Sequence, residues 1–168
     1  MPASKHIILT SDDITQKIKR IAYQIAEDNH DESEIHLIGI MTDGYNFAER
    51  LCDELKNILK IEVFLYCMKL KKRNPLSKEI EYDFNPDDFN RKVVIIADDV
   101  ANTGKTMLYA MKPLMDCVPK KIRIAVLVDR KHKLFPISSD YVGLSLSTTM
   151  KEHIEVAMDG TKAEAYLS

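Results

Sequence analysis

"KVVIIADDVANTGKTMLYAM", residues 92–111, joins a strand-like apolar run to a short loop and the beginning of a helix-like segment. Small residues and hydroxyls between a strand and a helix place several backbone N–H groups, and the positive end of the helix, around one point. Lys105 adds a positive charge there, and Thr103 and Thr106 add hydroxyl donors. The stretch therefore predicts an anion site, suited to phosphate, at the end of a buried strand.

Asp98 and Asp99 precede this loop. The sequence of the stretch does not match either of two common nucleotide-binding motifs. In the pattern G-x-x-x-x-G-K-[ST], counting back five positions from Gly104 gives Asp99 in place of a glycine. A dinucleotide fingerprint also fails, because the stretch contains one glycine. Carboxylates instead accept hydrogen bonds from a vicinal diol and hold Mg²⁺ directly or through water. A ribose 5-phosphate would satisfy both halves, with its phosphate in the loop and its hydroxyls on the acids.

The rest of the chain alternates strand-like and helix-like patterns. The strand-like segments are residues 6–9, 34–40, 61–70, 92–97 and 121–129. The helix-like segments are residues 11–28, 42–59 and 104–117, the last kinked or ended early by Pro113. Thr10 followed by Asp13 predicts a capping box at the first helix. Apolar, non-alternating strands separated by helices predict an α/β fold, a parallel twisted sheet with helices on both faces.

Two segments fall outside this alternation. The polar stretch from residue 71 to 91, with two prolines and both signs of charge, predicts a long hairpin or a mobile loop. The tail, residues 140–168, alternates short β-like pieces with turns and predicts a cap built onto the sheet. In a parallel sheet the loops after the strands gather at one edge, so "GIMTDGY", "DDVANTGKT" and "VDRKHK" are expected to meet there.

Composition narrows the class of protein. At 168 residues the chain is expected to form a single domain over residues 1–168. No apolar run is long enough to span a membrane, and the N-terminus lacks the pattern of a secretion signal. Cys52, Cys67 and Cys117 are unclustered, which indicates reduced thiols in a cytoplasmic protein. A formal net charge of -2 argues against a general nucleic-acid binder but not against a local basic patch.

"VVIIADDVANTGKT", residues 93–106, resembles the phosphoribosyl pyrophosphate motif of type I phosphoribosyltransferases, in which a strand precedes two acids and T-G-x-T. Residues 9–27, 37–51 and 125–149 are similar to the matching segments of the PyrR family of pyrimidine-operon regulators and uracil phosphoribosyltransferases. The resemblance implies a five-stranded parallel core with a small hood over the base. It also implies Mg²⁺-assisted transfer of ribose 5-phosphate from phosphoribosyl pyrophosphate to uracil, with release of pyrophosphate.

The resemblance assigns roles to residues in three parts of the chain. Asp98 and Asp99 would anchor the ribose hydroxyls and Mg²⁺. The 5′-phosphate loop would consist of Ala101, Asn102, Thr103, Gly104, Lys105 and Thr106. The pyrophosphate loop would consist of Met41, Thr42, Asp43 and Gly44. A cation near Lys69 or Lys71, in the hairpin, would meet pyrophosphate if the hairpin closes over the substrates; the alternative is a solvated charged hairpin.

The same resemblance points to a site for the base. Asp129 would accept an N–H bond such as that of uracil N3, with Arg130 beside it; the alternative is an exposed ion pair at the strand end. Tyr141 and Val142 would pack over the flat base, unless the aromatic ring belongs to the core. Purine-type relatives carry an aspartate at the position of Asn102 and a lysine at that of Asp129, so a purine base is disfavoured.

Departures from the PyrR pattern leave other functions open. The family usually carries an arginine where Asp43 stands. A carboxylate facing pyrophosphate is unfavourable unless Mg²⁺ lies between them or Asp43 turns away as a helix N-cap, and it suggests a degenerate member that binds nucleotide without turnover. An RNA-binding transcription attenuator is the other alternative. It is disfavoured because "TTMKEH", residues 148–153, lacks the arginine of the corresponding family segment. The family also implies a homo-oligomer, a dimer or larger.

Overall fold

The computed structural model describes residues 4–168, so residues 1–3 of the predicted domain lie outside the described part. The strands of the described part are β1 (His6–Leu9), β2 (Glu34–Ile40), β3 (Glu62–Lys69), β4 (Glu81–Tyr82), β5 (Val93–Ala101), β6 (Lys121–Arg130), β7 (Tyr141–Leu146), β8 (Ile154–Asp159) and β9 (Lys162–Leu167). The helices are α1 (Ser11–Asp28), α2 (Asp43–Ile58) and α3 (Lys105–Ala110), with 3₁₀ helices at Pro86–Phe89 and Lys112–Asp116.

A six-stranded sheet in the order β4-β3-β2-β5-β6-β7 forms the centre of the molecule. The five strands from β3 to β7 in this order run parallel, and β4 is the antiparallel edge that completes the predicted hairpin. The chain goes outward from β2 to β3 and then returns to β5 on the other side of β2. A crevice therefore opens between the carboxyl ends of β2 and β5, where ligands bind in such sheets.

Helices cover both faces of the sheet, as the sequence predicts. On one face, α2 packs apolar side chains such as Leu51 against β2 and β5, and α1 packs side chains such as Ile21 into the same core beside β7 and β6. On the other face, α3 and the 3₁₀ helices pack Met107, Leu114 and Phe89. Among residues 4–168 there is no helix that is both long and apolar enough to cross a membrane.

The N-terminus of α1 is fixed by the capping box that its sequence predicts. The backbone N–H of Asp13 donates to Thr10 Oγ1 at 3.3 Å, and the backbone N–H of Thr10 donates to Asp13 Oδ2 at 2.9 Å. These two bonds satisfy donors that a helix start leaves unpaired.

A small antiparallel sheet, β1-β9-β8, forms the hood. The predicted cap is thus made by the C-terminal hairpin together with the first strand of the chain. Asn46, in the second turn of α2, donates from Nδ2 to the carbonyl oxygen of Met158 on β8 at 2.7 Å. This bond holds the hood beside the helix that begins at the crevice.

Two boundaries around the phosphate loop differ from the sequence prediction. Strand β5 continues past Ala97 to Ala101, because Val100 and Ala101 still pair with β6. The following α-helix is shorter than predicted and ends at Ala110. Pro113 lacks the N–H that an α-helix would need and instead lies in the first turn of a 3₁₀ helix.

Candidate active site

Asp98 and Asp99 lie near the carboxyl end of β5, on the floor of the crevice. Both are buried, with 1% and 9% of their surface exposed. The ammonium group of Lys72, from the hairpin, donates to Asp98 Oδ1 at 2.8 Å and to Asp99 Oδ1 at 3.2 Å. The two acids therefore share one positive partner, which reaches them from a segment 26 residues earlier in the chain.

Burial is the main influence on the charges of this cluster. Burial and the neighbouring Asp99 raise the pKa of Asp98 well above its ordinary value, although Lys72 acts in the opposite direction. Burial opposes the charge on Lys72 as well, but Asp98 and Asp99 together raise its pKa. Lys72 is consequently a protonated cation whose charge offsets that of the acids.

The same two carboxylates suit a magnesium ion. Mg²⁺ is usually held by one or two carboxylates together with waters and substrate phosphates. The ammonium of Lys72 already occupies the position of a cation between the two acids. Among residues 4–168 no group of three or more His, Cys, Asp and Glu could hold a metal ion. Asp98 and Asp99 thus fit an ion that takes its remaining ligands from water and substrate.

The loop between β5 and α3 forms one wall of a cleft of about 720 Å³. Gly104 has a φ of +87°, a conformation that favours glycine, and precedes the first residue of α3. The carbonyl oxygen of Thr103 accepts hydrogen bonds from the backbone N–H groups of Leu134 at 2.9 Å and Phe135 at 3.1 Å. The cleft is lined by Asp43, Lys72, Arg73, residues 98–107 and residues 154–156.

Residues 41–44 lie beside the acids, with Met41 and Thr42 between β2 and α2 and with Asp43 and Gly44 as the first residues of α2. The peptide bond between Met41 and Thr42 is cis. A Cβ atom added to Gly44 would lie 2.4 Å from Asp98 Oδ1, so only glycine lets the start of α2 approach this carboxylate so closely. Of these four residues, Asp43 lines the cleft.

Asp43 faces the other two acids. Burial, followed by the charge of Asp99, raises the pKa of Asp43, while the backbone N–H of Met158 lowers it. The N-cap of α2 is Thr42, so Asp43 is not the N-cap of this helix. Asp43, Asp98 and Asp99 therefore form a cluster of three carboxylates at the Lys72 side of the cleft, whereas the fourth carboxylate that lines it, Glu155, pairs with Lys5 on the hood.

The hairpin lysine that contacts the acids is Lys72, rather than Lys69 or Lys71, which are both exposed. Lys69 is exposed, lies at the last position of β3 and pairs across the strands with Glu81. Lys72, three residues further along the chain, reaches the acids, and Arg73 lines the same cleft. The four basic residues of the segment 69–73 predicted a cation in this region, but the sequence did not indicate which of their side chains reaches the acids.

Asp129 and Arg130 lie at the end of β6 and support the phosphate loop. Asp129 Oδ1 accepts from Lys133 Nζ at 2.6 Å and from Ser139 Oγ at 3.3 Å, so its ion pair is with Lys133 rather than Arg130. The Arg130 guanidinium instead donates to Asn102 in the phosphate loop and to Thr148. Neither residue lines the cleft.

Tyr141 and Val142 lie at the beginning of β7, and the burial of Tyr141 corrects the expectation that its ring packs over a base. Val142 is partly buried against the second core cluster, and its contact with a base stays a prediction. Tyr141 is buried in the core under α1, and its hydroxyl donates to Asp28 Oδ2 at 2.6 Å. In the sheet, Tyr141 pairs with Ala125 and is thus four positions before the level of Asp129. The hood side of the cleft is lined instead by Ile154, Glu155 and Val156.

Comparisons with known proteins agree with this architecture. A family model described as "Phosphoribosyl transferase domain" matches residues 6–160. The sequence is 37% identical over 171 residues to the "Bifunctional protein PyrR" of Deinococcus radiodurans, covering 96% of this chain and 92% of that protein. It is 35% identical over 176 residues to the protein of the same name from Bacillus cereus, covering 98% and 96%.

Solved structures with lower sequence identity share the fold. A hypoxanthine-guanine phosphoribosyltransferase of Bacillus anthracis aligns with a TM-score of 0.74 and 19% identity over 98% of this chain and 100% of that one. The hypoxanthine phosphoribosyltransferase of Trypanosoma cruzi aligns with a TM-score of 0.75 and 19% identity, covering 95% and 94%. At this identity the likeness concerns the fold alone.

Proposed function

Because the chain belongs to the phosphoribosyl transferase family, and is therefore a phosphoribosyltransferase, we propose that it transfers ribose 5-phosphate from phosphoribosyl pyrophosphate to uracil. The observation that carries this proposal is the pair Asp98 and Asp99 beside the loop of residues 101–106, in one cleft. A vicinal diol and a phosphate are the two groups that such a site accommodates.

In this reaction the bond between C1 of the ribose and pyrophosphate breaks, and its electron pair leaves with pyrophosphate. A lone pair of the base nitrogen N1 forms the new bond to C1, and the proton of N1 is lost to solvent. Positive charge develops on the sugar, so catalysis depends on positioning and on neutralising the departing group. When bound at Asp98 and Asp99, Mg²⁺ supplies positive charge to pyrophosphate.

Different residues bind the sugar hydroxyls, the 5′-phosphate and pyrophosphate. Asp98 and Asp99 hold the 2′ and 3′ hydroxyls, and residues 101–106 hold the 5′-phosphate. Lys72 and Arg73 lie on the side of the cleft next to the acids, where their charges meet pyrophosphate once the sugar displaces Lys72 from the carboxylates. The loop of residues 41–44 presents its backbone to the same group. Asp43 opposes the negative charge of pyrophosphate, which slows the transfer.

The test is the release of pyrophosphate by the purified protein with Mg²⁺ and phosphoribosyl pyrophosphate. Uracil, orotate, hypoxanthine, guanine and xanthine are supplied in parallel. We expect uracil to give pyrophosphate and UMP at the highest rate. Release of pyrophosphate with a purine alone would refute uracil as the substrate, and no release with any base would refute turnover.

A second candidate function is the nucleotide-responsive binding of RNA. It is favoured by the name of the relatives at 35% and 37% identity, which is "Bifunctional protein PyrR". Filter binding to a structured pyrimidine-operon leader, with and without UMP, tests it. Retention of the leader that changes with UMP supports this function, and the absence of retention at physiological salt refutes it.

We also propose a cellular compartment and an oligomeric state for the protein. Cys52, Cys67 and Cys117 are all unpaired, which supports a reducing compartment such as the cytoplasm. The resembled family supports association into a dimer or a larger homo-oligomer. Light scattering of the purified protein measures the mass, and a value of 19.3 kDa would refute association.

A further inference from the structure

Asn102 stands at the mouth of the phosphate loop with its side-chain amide held in one orientation. Its Oδ1 atom lies 3.3 Å from Nη1 of Arg130. A guanidinium group has only donors, so the oxygen of the amide must face it and the NH₂ group must face the other way. Because Asn102 lines the cleft, this NH₂ group is available to a bound molecule.

Arg130 is itself fixed by two other bonds. Its Nε atom donates to Thr148 Oγ1 at 2.7 Å, and its Nη2 atom donates to the carbonyl oxygen of Thr149 at 3.1 Å. Lys133 adds a contact from Nζ to the carbonyl oxygen of Asn102 at 3.3 Å. The side chain and the backbone of Asn102 are thus both tied to the segment that follows β6.

The stereochemistry of the sugar determines which group of the substrate lies near Asn102. In phosphoribosyl pyrophosphate the pyrophosphate lies on the same face of the ring as the 2′ and 3′ hydroxyls, and the 5′-phosphate arm lies on the opposite face. An incoming base displaces pyrophosphate from behind and therefore enters on the face of the 5′-phosphate arm. If the hydroxyls bind Asp98 and Asp99 and the 5′-phosphate binds residues 101–106, the incoming base lies on the side of the ring that faces this loop, which includes Asn102.

We propose that Asn102, oriented by Arg130, is a specificity-determining residue that donates a hydrogen bond to the carbonyl oxygen beside the reacting nitrogen of the base. In uracil this atom is O2, which flanks N1 and gains negative charge when N1 loses its proton. A base edge that presents an N–H group to the same place meets a second donor and binds poorly. This inference rests on the proposed transfer to uracil and names the contact that selects the base.

The decisive variant is Asn102→Leu, which keeps the size and the charge of the side chain but removes the donor. Calorimetry with UMP and with ribose 5-phosphate separates a contact to the base from a general effect on the phosphate loop. We expect UMP to bind about 10-fold more weakly and ribose 5-phosphate to bind unchanged. An equal loss for both ligands, or no loss for UMP, would overturn the inference.

A change in the base tests the same contact without a change in the protein's fold. In 2-thiouracil the oxygen beside N1 is replaced by sulfur, a poor acceptor, whereas 4-thiouracil keeps this oxygen. We expect the wild-type protein to lose about 10-fold in kcat/KM with 2-thiouracil relative to 4-thiouracil, and Asn102→Leu to show no such difference. The same ratio in both proteins would contradict the assigned contact.

Arg130→Met tests the positioning role, with Thr148→Val as the matched control. Arg130→Met frees the amide to rotate, so we expect KM for uracil to rise about 3-fold or more with kcat nearly unchanged. Thr148→Val removes one support of Arg130 but keeps its bond to Asn102, and KM should stay within about 2-fold. Equal effects of both variants would show that Arg130 only holds the loops together. If wild-type protein releases no pyrophosphate with any base, the proposed function fails, and UMP binding by Asn102→Leu still decides the contact.

Discussion

Removal of the Lys72 ammonium should destabilise the protein by an amount that grows with pH. Asp98 and Asp99 have 1% and 12% of their side chains exposed, whereas Lys72 has 39% exposed. Breaking a fully buried ion pair costs about 3–5 kcal/mol, and an exposed pair is worth about 0–1 kcal/mol. Because Lys72 is partly in water, we expect Lys72→Met to lower the free energy of unfolding by about 1–2 kcal/mol at pH 8.

The sign of the pH dependence follows from Asp98. Burial and Asp99 raise its pKa in the folded protein above 3.8, so its protonated form favours folding and this contribution is lost as pH rises through the folded-state value. Lys72 offsets the loss by stabilising the charged form. Lys72→Met should therefore lose stability relative to wild type as pH rises from 4 to 8, because charging Asp98 costs more without the ammonium.

Urea denaturation between pH 4 and pH 8, without Mg²⁺, measures this effect. Lys71→Met is the matched control, because Lys71 is an exposed neighbour for which no ion pair is found within residues 4–168. A thermal melt at pH 8 makes the same comparison. We expect the melting temperature of Lys72→Met to lie about 2–8 °C below that of wild type and that of Lys71→Met to be unchanged. A deficit that is the same at pH 4 and pH 8, or is shared by Lys71→Met, would refute the role assigned to Lys72.

Three further variants test other parts of the site. Gly44→Ala places a methyl group 2.4 Å from Asp98 Oδ1, so kcat should fall at least about 10-fold in the pyrophosphate-release assay; unchanged kcat would contradict this close approach. Asp43→Arg replaces a carboxylate that faces pyrophosphate with a cation, and kcat/KM should rise about 10-fold; a decrease would mean that Asp43 assists the reaction. Tyr141→Phe removes the bond to Asp28 Oδ2 and should lower the free energy of unfolding by about 1 kcal/mol without affecting KM for uracil, whereas a raised KM would return Tyr141 to the base site.

The sequence predicted those parts of the fold that depend on local chemistry. The capping box of α1 requires only Thr10 and a carboxylate three residues later, and the structure confirms both bonds. The apolar residues of β2 and β5 are buried on both faces, so their sequences show the continuous hydrophobicity of strands in a parallel sheet. The boundary of β5 was wrong by four residues, because pairing with β6 keeps the backbone extended through two acids that look like loop residues.

The parts that the sequence did not predict depend on contacts between distant segments. Tyr141 was expected near a base because aromatic residues suit both a base and a core, and only its bond to Asp28, 113 residues away, distinguishes the two. Lys69 and Lys72 have the same chemistry and lie three residues apart. The choice between them depends on where β3 ends and on how the hairpin turns back, which the composition of the hairpin does not specify.

The cluster of Asp43, Asp98 and Asp99 explains why Lys72 occupies the position that it does. Burial raises the pKa of Asp98 and of Asp43, and each of these shifts is increased by Asp99, so the acids oppose one another's ionisation. One ammonium cannot neutralise three carboxylates, and the cluster therefore keeps a demand for a further cation. Mg²⁺ held by Asp98 and Asp99 together with phosphoribosyl pyrophosphate would supply this positive charge, and the ammonium of Lys72 would then be free to contact pyrophosphate. Asp43 adds to this demand for a cation but also repels the leaving group, and the change in kcat/KM of Asp43→Arg measures which of the two effects is larger.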